Sequence, residues 1–89
     1  MALTSYERLR MTHRALLSPR APSLPQLLAD LPARLDEIAA ERPALKNEVD
    51  ASRPSLARIA AYVAAAPAAD ARRAAEGVHR ALAPLFPGQ

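Results

Sequence analysis

From Leu24 to Val63 apolar residues recur in steps of three and four: Leu24, Leu28, Leu31, Leu35 and Ile38, then Leu45 and Val49, then Leu56, Ile59 and Val63. A period between three and four is that of an α-helix with one buried face. Pro32, Pro43 and Pro54 cross this stripe at intervals of eleven residues. An interior proline removes one backbone hydrogen bond and clashes with the preceding turn, at a cost of about 3 kcal/mol. That cost predicts that each of the three starts or breaks a helix. Eleven residues are close to three α-helical turns, with a drift of only about 20°. The competing expectation is therefore a single rod, bent the same way at each proline.

The flanking signals divide the chain further. Thr4-Ser5-Tyr6-Glu7 matches a capping box and predicts a helix start. This helix carries Tyr6, Leu9, His13, Leu16 and Leu17 on one side and stops before Ser18-Pro19, because a residue preceding proline avoids the α region. Residues 18 to 22 read as a linker. Ser23 followed by Pro25, and Ser52 followed by Pro54, each place a cap hydroxyl before a proline tolerated in a first turn. From Pro67 a last helix presents Ala71, Ala74, Ala75, Val78, Leu82 and Leu85 on one face, with Arg72–Glu76 and Glu76–Arg80 as four-spaced surface pairs. The predicted helices span about 5–17, 24–41, 43–66 with a break near 52–54, and 68–86, within one domain over 1–89. The expected fold is all-α, a small three- or four-helix antiparallel bundle with proline-punctuated helices.

A chain of 89 residues buries a thin core, about 60–65% of its unfolded surface, and without cysteine it has no disulfide or thiolate metal site to staple it. Its aromatics are Tyr6, Tyr62 and Phe86, so Leu, Ile, Val and Ala must build the core, and Ala at helix contacts permits close axial approach. No run approaches the roughly 20 apolar residues of a membrane span, and charges interrupt residues 1–14 where a signal peptide needs an apolar stretch. A soluble cytoplasmic protein is expected. The net charge of +3 rests on eleven arginines beside one lysine, a ratio expected of a GC-rich bacterial coding sequence more than of selection for nucleic acid.

Chemistry-bearing residues are sparse. His13 and His79 have no further donors at metal-ligand spacing, and a closed metal site needs three or four. Asp36, Glu37 and Glu41, like Glu48 and Asp50, fall on polar faces where their pKa values have no cause to shift toward acid–base work. With glycine only at 77 and 88, no phosphate-binding loop forms, and no serine sits in a nucleophile elbow. The expected function is non-enzymatic and without cofactor or metal: a helical protein–protein interaction module, such as an adaptor, chaperone-like protein or regulatory subunit. It would associate with itself or with another helical protein through Leu28, Leu35, Ile38, Leu56 and Ile59, because a stripe longer than one helix pair can bury implies an interface. The alternative is a small nucleic-acid-binding regulator using Arg8, Arg10 and Arg14 with Arg72, Arg73 and Arg80 as phosphate contacts, although acids are interspersed with all of them. The bent rod would suit a membrane surface, but the Trp, Phe and Lys favoured there are scarce.

Overall fold

Thr4 opens the first helix as the capping box predicts: its hydroxyl accepts from the Glu7 amide at 3.2 Å and donates to the Glu7 carboxylate at 3.1 Å. A computed structural model describes residues 3–19, 23–65 and 71–87. Within these, four α-helices form: α1 Ser5–Ala15, α2 Leu24–Glu41, α3 Lys46–Ala65 and α4 Ala71–Leu82. Short 3-10 turns at Pro43–Leu45 and Ala83–Leu85 precede α3 and follow α4, and no strand occurs among the described residues. Residues 20–22 of the expected linker, and 66 and 68–70 of the expected helices, lie outside the described residues.

Successive helices are antiparallel. Ser5 meets Glu37 and Glu41, Asp36 meets Arg53, Ile59 packs beside Gly77, and Tyr6 and His13 of α1 meet Leu85 and His79 at the far end of the chain. The result is an up-down-up-down bundle whose longest extent is 36 Å. A single rod from Leu24 to Val63 would alone run about 60 Å, so the bent-rod expectation is excluded.

The three prolines behave differently from one another, and here the prediction is corrected. Pro43 does separate helices: Arg42 takes a non-helical φ of −133° and ψ of 80°, as a residue before proline prefers, and Pro43 opens the 3-10 turn. Pro32 and Pro54 do not break their helices; α2 and α3 run through them, and the break expected near 52–54 is absent. Both prolines are exposed. One unbroken α3 keeps Val49 and Leu56, two turns apart, in line against the rest of the core. Their burial, at about 1.5–3 kcal/mol each, outweighs a penalty of about 3 kcal/mol for one proline.

Two cap predictions also shift. Ser23 sits at the start of α2 with extended backbone but gives no side-chain cap, and its carbonyl instead accepts the Leu27 amide at 2.9 Å. Ser52, being inside α3, donates back to the Val49 carbonyl at 2.8 Å. At the other boundaries α1 ends at Ala15 rather than 17, and α4 gives way after Leu82 to the 3-10 turn Ala83–Leu85, with Leu85 and Phe86 buried.

The core contains the predicted stripe, with Leu28, Leu31, Leu35, Ile38, Val49, Leu56 and Val63 buried, joined by Leu9 and Leu16 from α1 and Ala74, Ala75, Val78 and Leu82 from α4. Alanine on α4 and the bare Gly77 draw α3 and α4 close: a Cβ on Gly77 would lie 3.2 Å from the Ile59 Cδ1 methyl. No helix among the described residues is long and apolar enough to cross a membrane.

Candidate functional site

Of the five residues expected at an interface, Ile38 is fully buried, Leu28, Leu35 and Leu56 are buried at the floor of a cleft, and Ile59 is half-buried. The stripe is thus consumed within the chain, because α1 and α4, whose own sequences look weakly apolar, fold over it. What remains outside differs from one groove to the next.

Between α2 and α3 a cleft of about 250 Å³ is floored by Leu28, Leu31, Leu35 and Leu56. Arg53 closes its rim by donating to Asp36 at 2.7 Å and to Asp50 at 3.3 Å, while Lys46 donates to Asp50 at 2.9 Å. Lys46 first and Arg53 second hold the Asp50 carboxyl below its ordinary range. The charges on this side are internally neutralised.

The open end of α1 is likewise satisfied. Glu41 of α2 accepts from the backbone amides of Ser5 at 3.1 Å and Tyr6 at 3.3 Å, and the Ser5 hydroxyl donates to Glu37. These are amides that a helix start leaves without partners, and a carboxylate there also meets the positive end of the helix dipole. The Ser5 amide above all lowers the Glu41 pKa. Beside it the Arg42 guanidinium lies 4.0 Å over the Tyr6 ring, and the Tyr6 hydroxyl donates to the Leu85 carbonyl at 3.0 Å. Glu37 and Glu41 are exposed, as their polar face predicts, and also clamp the start of α1.

The two histidines, 66 residues apart in sequence, are brought together. Their rings stack at 3.9 Å with 13° between planes, and Phe86 tilts against His13 at 5.1 Å. His13 Nε2–H donates to the His79 carbonyl at 2.9 Å, which leaves Nδ1 unprotonated and buried without a partner. Burial pushes the His13 pKa down, the hydrogen bond to the His79 carbonyl opposes it in part, and the nearby His79 charge lowers it further. Parallel stacked rings do not aim their nitrogens at a common point, and among the described residues no three His, Asp or Glu side chains converge as metal ligands would.

The groove between α3 and α4 is different in kind. It encloses about 470 Å³, and its floor and walls are small: Ala51, Ser52, Ser55, Gly77 and Ala81. A second hollow of about 330 Å³ continues it past Ile59 to Tyr62 and Arg73. Glu48 stands at one end, half-buried, with its Oε2 sealed from water and accepting no hydrogen bond. Toward the other end Arg58 and, from α4, Arg80 line the groove, and neither makes an ion pair among the described residues. The expected Arg72–Glu76 pair forms at 3.5 Å on the exposed side of α4, but the companion Glu76–Arg80 pair does not. Tyr62, 46% exposed, adds a large apolar ring to the same face.

The sequence carries a faint signal for this groove. Ser52, Ser55, Ile59 and Tyr62 recur at helical spacing on α3, and Gly77 and Ala81 at helical spacing on α4. Small residues carry little hydrophobic weight, so the groove was outweighed by the leucine stripe. Comparison with protein-family models, curated proteins and solved structures finds no match to this chain.

Proposed function

We propose that the protein is a non-enzymatic interaction module that meets a helical protein surface across the α3/α4 face. The observation that carries the reading is the combination on that face of a small-residue groove with two rim guanidiniums, Arg58 and Arg80, that make no ion pair among the described residues. Elsewhere the prominent acids are already engaged, Asp36 and Asp50 by Arg53 and Glu37 and Glu41 by Ser5. A groove between antiparallel helices with a floor of Ala, Ser and Gly admits a third helix at close range, and flanking charges set its orientation.

The reading moves the interface expected from sequence. Leucines inside the bundle hold the protomer together, and association passes to the face they do not use. A photo-crosslinking amino acid at Ser55, in the groove, tests it against one at Ala33, exposed on α2. In living cells the Ser55 probe is expected to give a protein adduct of one discrete mass, identified by mass spectrometry, with none from Ala33. The reading fails if Ser55 gives no protein adduct. It fails also if the purified protein binds duplex DNA with an affinity that drops by about three orders of magnitude between 50 and 200 mM salt, the behaviour of six or more phosphate contacts.

A further inference from the structure

We infer that the occupant of the α3/α4 groove is a second copy of this chain, paired antiparallel about a two-fold axis so that Glu48 of each copy meets Arg58 of the other. The inference rests on the interaction-module reading and names the partner. Its ground is the order of charges along α3. Glu48 and Arg58 lie on the same groove, ten residues and therefore about 15 Å apart. In a two-fold pairing, whatever residue i contacts, its counterpart contacts in return. Two such faces laid antiparallel bring the acidic end of each over the basic end of the other, so both contacts form at once.

The rest of the face is compatible with that register. Midway between Glu48 and Arg58 the groove is lined by Ser52 and Ser55 from α3 and by Ala81 from α4, side chains that let two helix pairs approach closely. Arg80 lines the same groove from α4, and antiparallel overlay carries it toward the end of the other copy that bears Glu48. The one half-buried residue of the predicted stripe that opens onto this groove, Ile59, and the exposed Tyr62 supply its apolar contacts. Glu48, half-buried at one end of the groove, thereby faces a guanidinium that makes no ion pair among the described residues of its own chain.

Charge reversal tests the pairing in the purified full chain. Sedimentation equilibrium of wild type is expected to show a monomer–dimer equilibrium that weakens only modestly with salt. Glu48→Arg and Arg58→Glu each place like charges opposite one another, twice by symmetry, and are expected to weaken dimerisation on the order of a hundredfold. The double variant E48R/R58E restores complementarity and is expected to dimerise again, and an equimolar mixture of the two single variants is expected to form a heterodimer. Circular dichroism checks that each variant remains folded, and the double variant controls for any loss of fold at the half-buried Glu48. The inference is overturned if wild type stays monomeric, or if it dimerises and the single variants dimerise equally well. A monomeric wild type whose Ser55 probe captures one identified, different protein removes the second copy and leaves the module reading standing. Absence of any adduct at Ser55 removes both.

Discussion

Acidification should destabilise this protein through one side chain. His13 is 1% exposed, its Nε2–H is committed to the His79 carbonyl, and its Nδ1 faces no acceptor. A proton arriving at Nδ1 would create a buried cation with an unpaired N–H, stacked 3.9 Å from a second imidazole. The folded state therefore holds His13 neutral to a lower pH than the unfolded chain does. Above the ordinary histidine pKa of 6.5 neither state is protonated and the full stability is present. As the pH falls below it, the unfolded chain takes up a proton that the folded chain refuses, and stability declines until His13 itself titrates. One proton of difference corresponds to at most about 1.4 kcal/mol per pH unit. For a domain of this size that is a fall in Tm of roughly 5–10 °C per unit. Thermal melts followed by circular dichroism between about pH 7.5 and 5.5 should show Tm falling progressively, approaching this limiting slope only at the acid end. In His13→Gln, which has no titrating ring, the slope should flatten even though the variant is less stable throughout. Glu41 and Asp50, with lowered pKa values, lose their contributions only at more acid pH and do not counterfeit the effect. A wild-type Tm that stays level over this range, or an equal slope in His13→Gln, would refute the argument.

Three further outcomes follow from the packing. Ile38→Asp, at a position with no exposure, should lower stability by several kcal/mol or prevent folding in urea titrations, whereas Arg34→Asp should change it by no more than about 0.5 kcal/mol. Pro54→Ala should restore a helical hydrogen bond in the middle of α3 and raise stability by about 1–2 kcal/mol, less than the full proline penalty because the unfolded chain gains freedom; an unchanged or lower midpoint would argue for a break at this position after all. Glu41→Gln should loosen the start of α1, seen as faster hydrogen exchange at the α1 amides with α2, α3 and α4 unchanged, and uniform acceleration across all four helices would contradict a local clamp.

What the sequence conveyed was whatever repeats locally. The leucine stripe of α2 and α3, the Thr4 cap on Glu7 and the Arg72–Glu76 pair each depend on residues within a turn or two of one another, and each is found in the structure. Pro54 was misjudged because its cost is local while the burial that overrides it, at Val49 and Leu56, is tertiary. The His13–His79 stack and the Ser5–Glu41 clamp join residues 66 and 36 positions apart and leave no periodic trace. The α3/α4 groove left a trace in serines, alanines and one glycine, residues whose value lies in what they make room for.

The clasp between the chain's two ends has a consequence for how the protein is made. Tyr6 reaches the Leu85 carbonyl and packs its ring 5.1 Å from Phe86, and His13 lies against both His79 and Phe86. During synthesis α1 and α2 emerge well before residues 79–86, which complete the cover over Tyr6 and His13. Until residues 79–86 have cleared the ribosome, Tyr6 and His13 wait without these neighbours, while the start of α1 is held to α2 through Glu37 and Glu41. The nascent chain thus passes through a stage in which α1 is fastened at its start but open along the side that bears His13, until Leu85 and Phe86 arrive. Stalled chains ending before and after Phe86 should differ sharply in protease resistance at α1, although they differ in length by only a few residues.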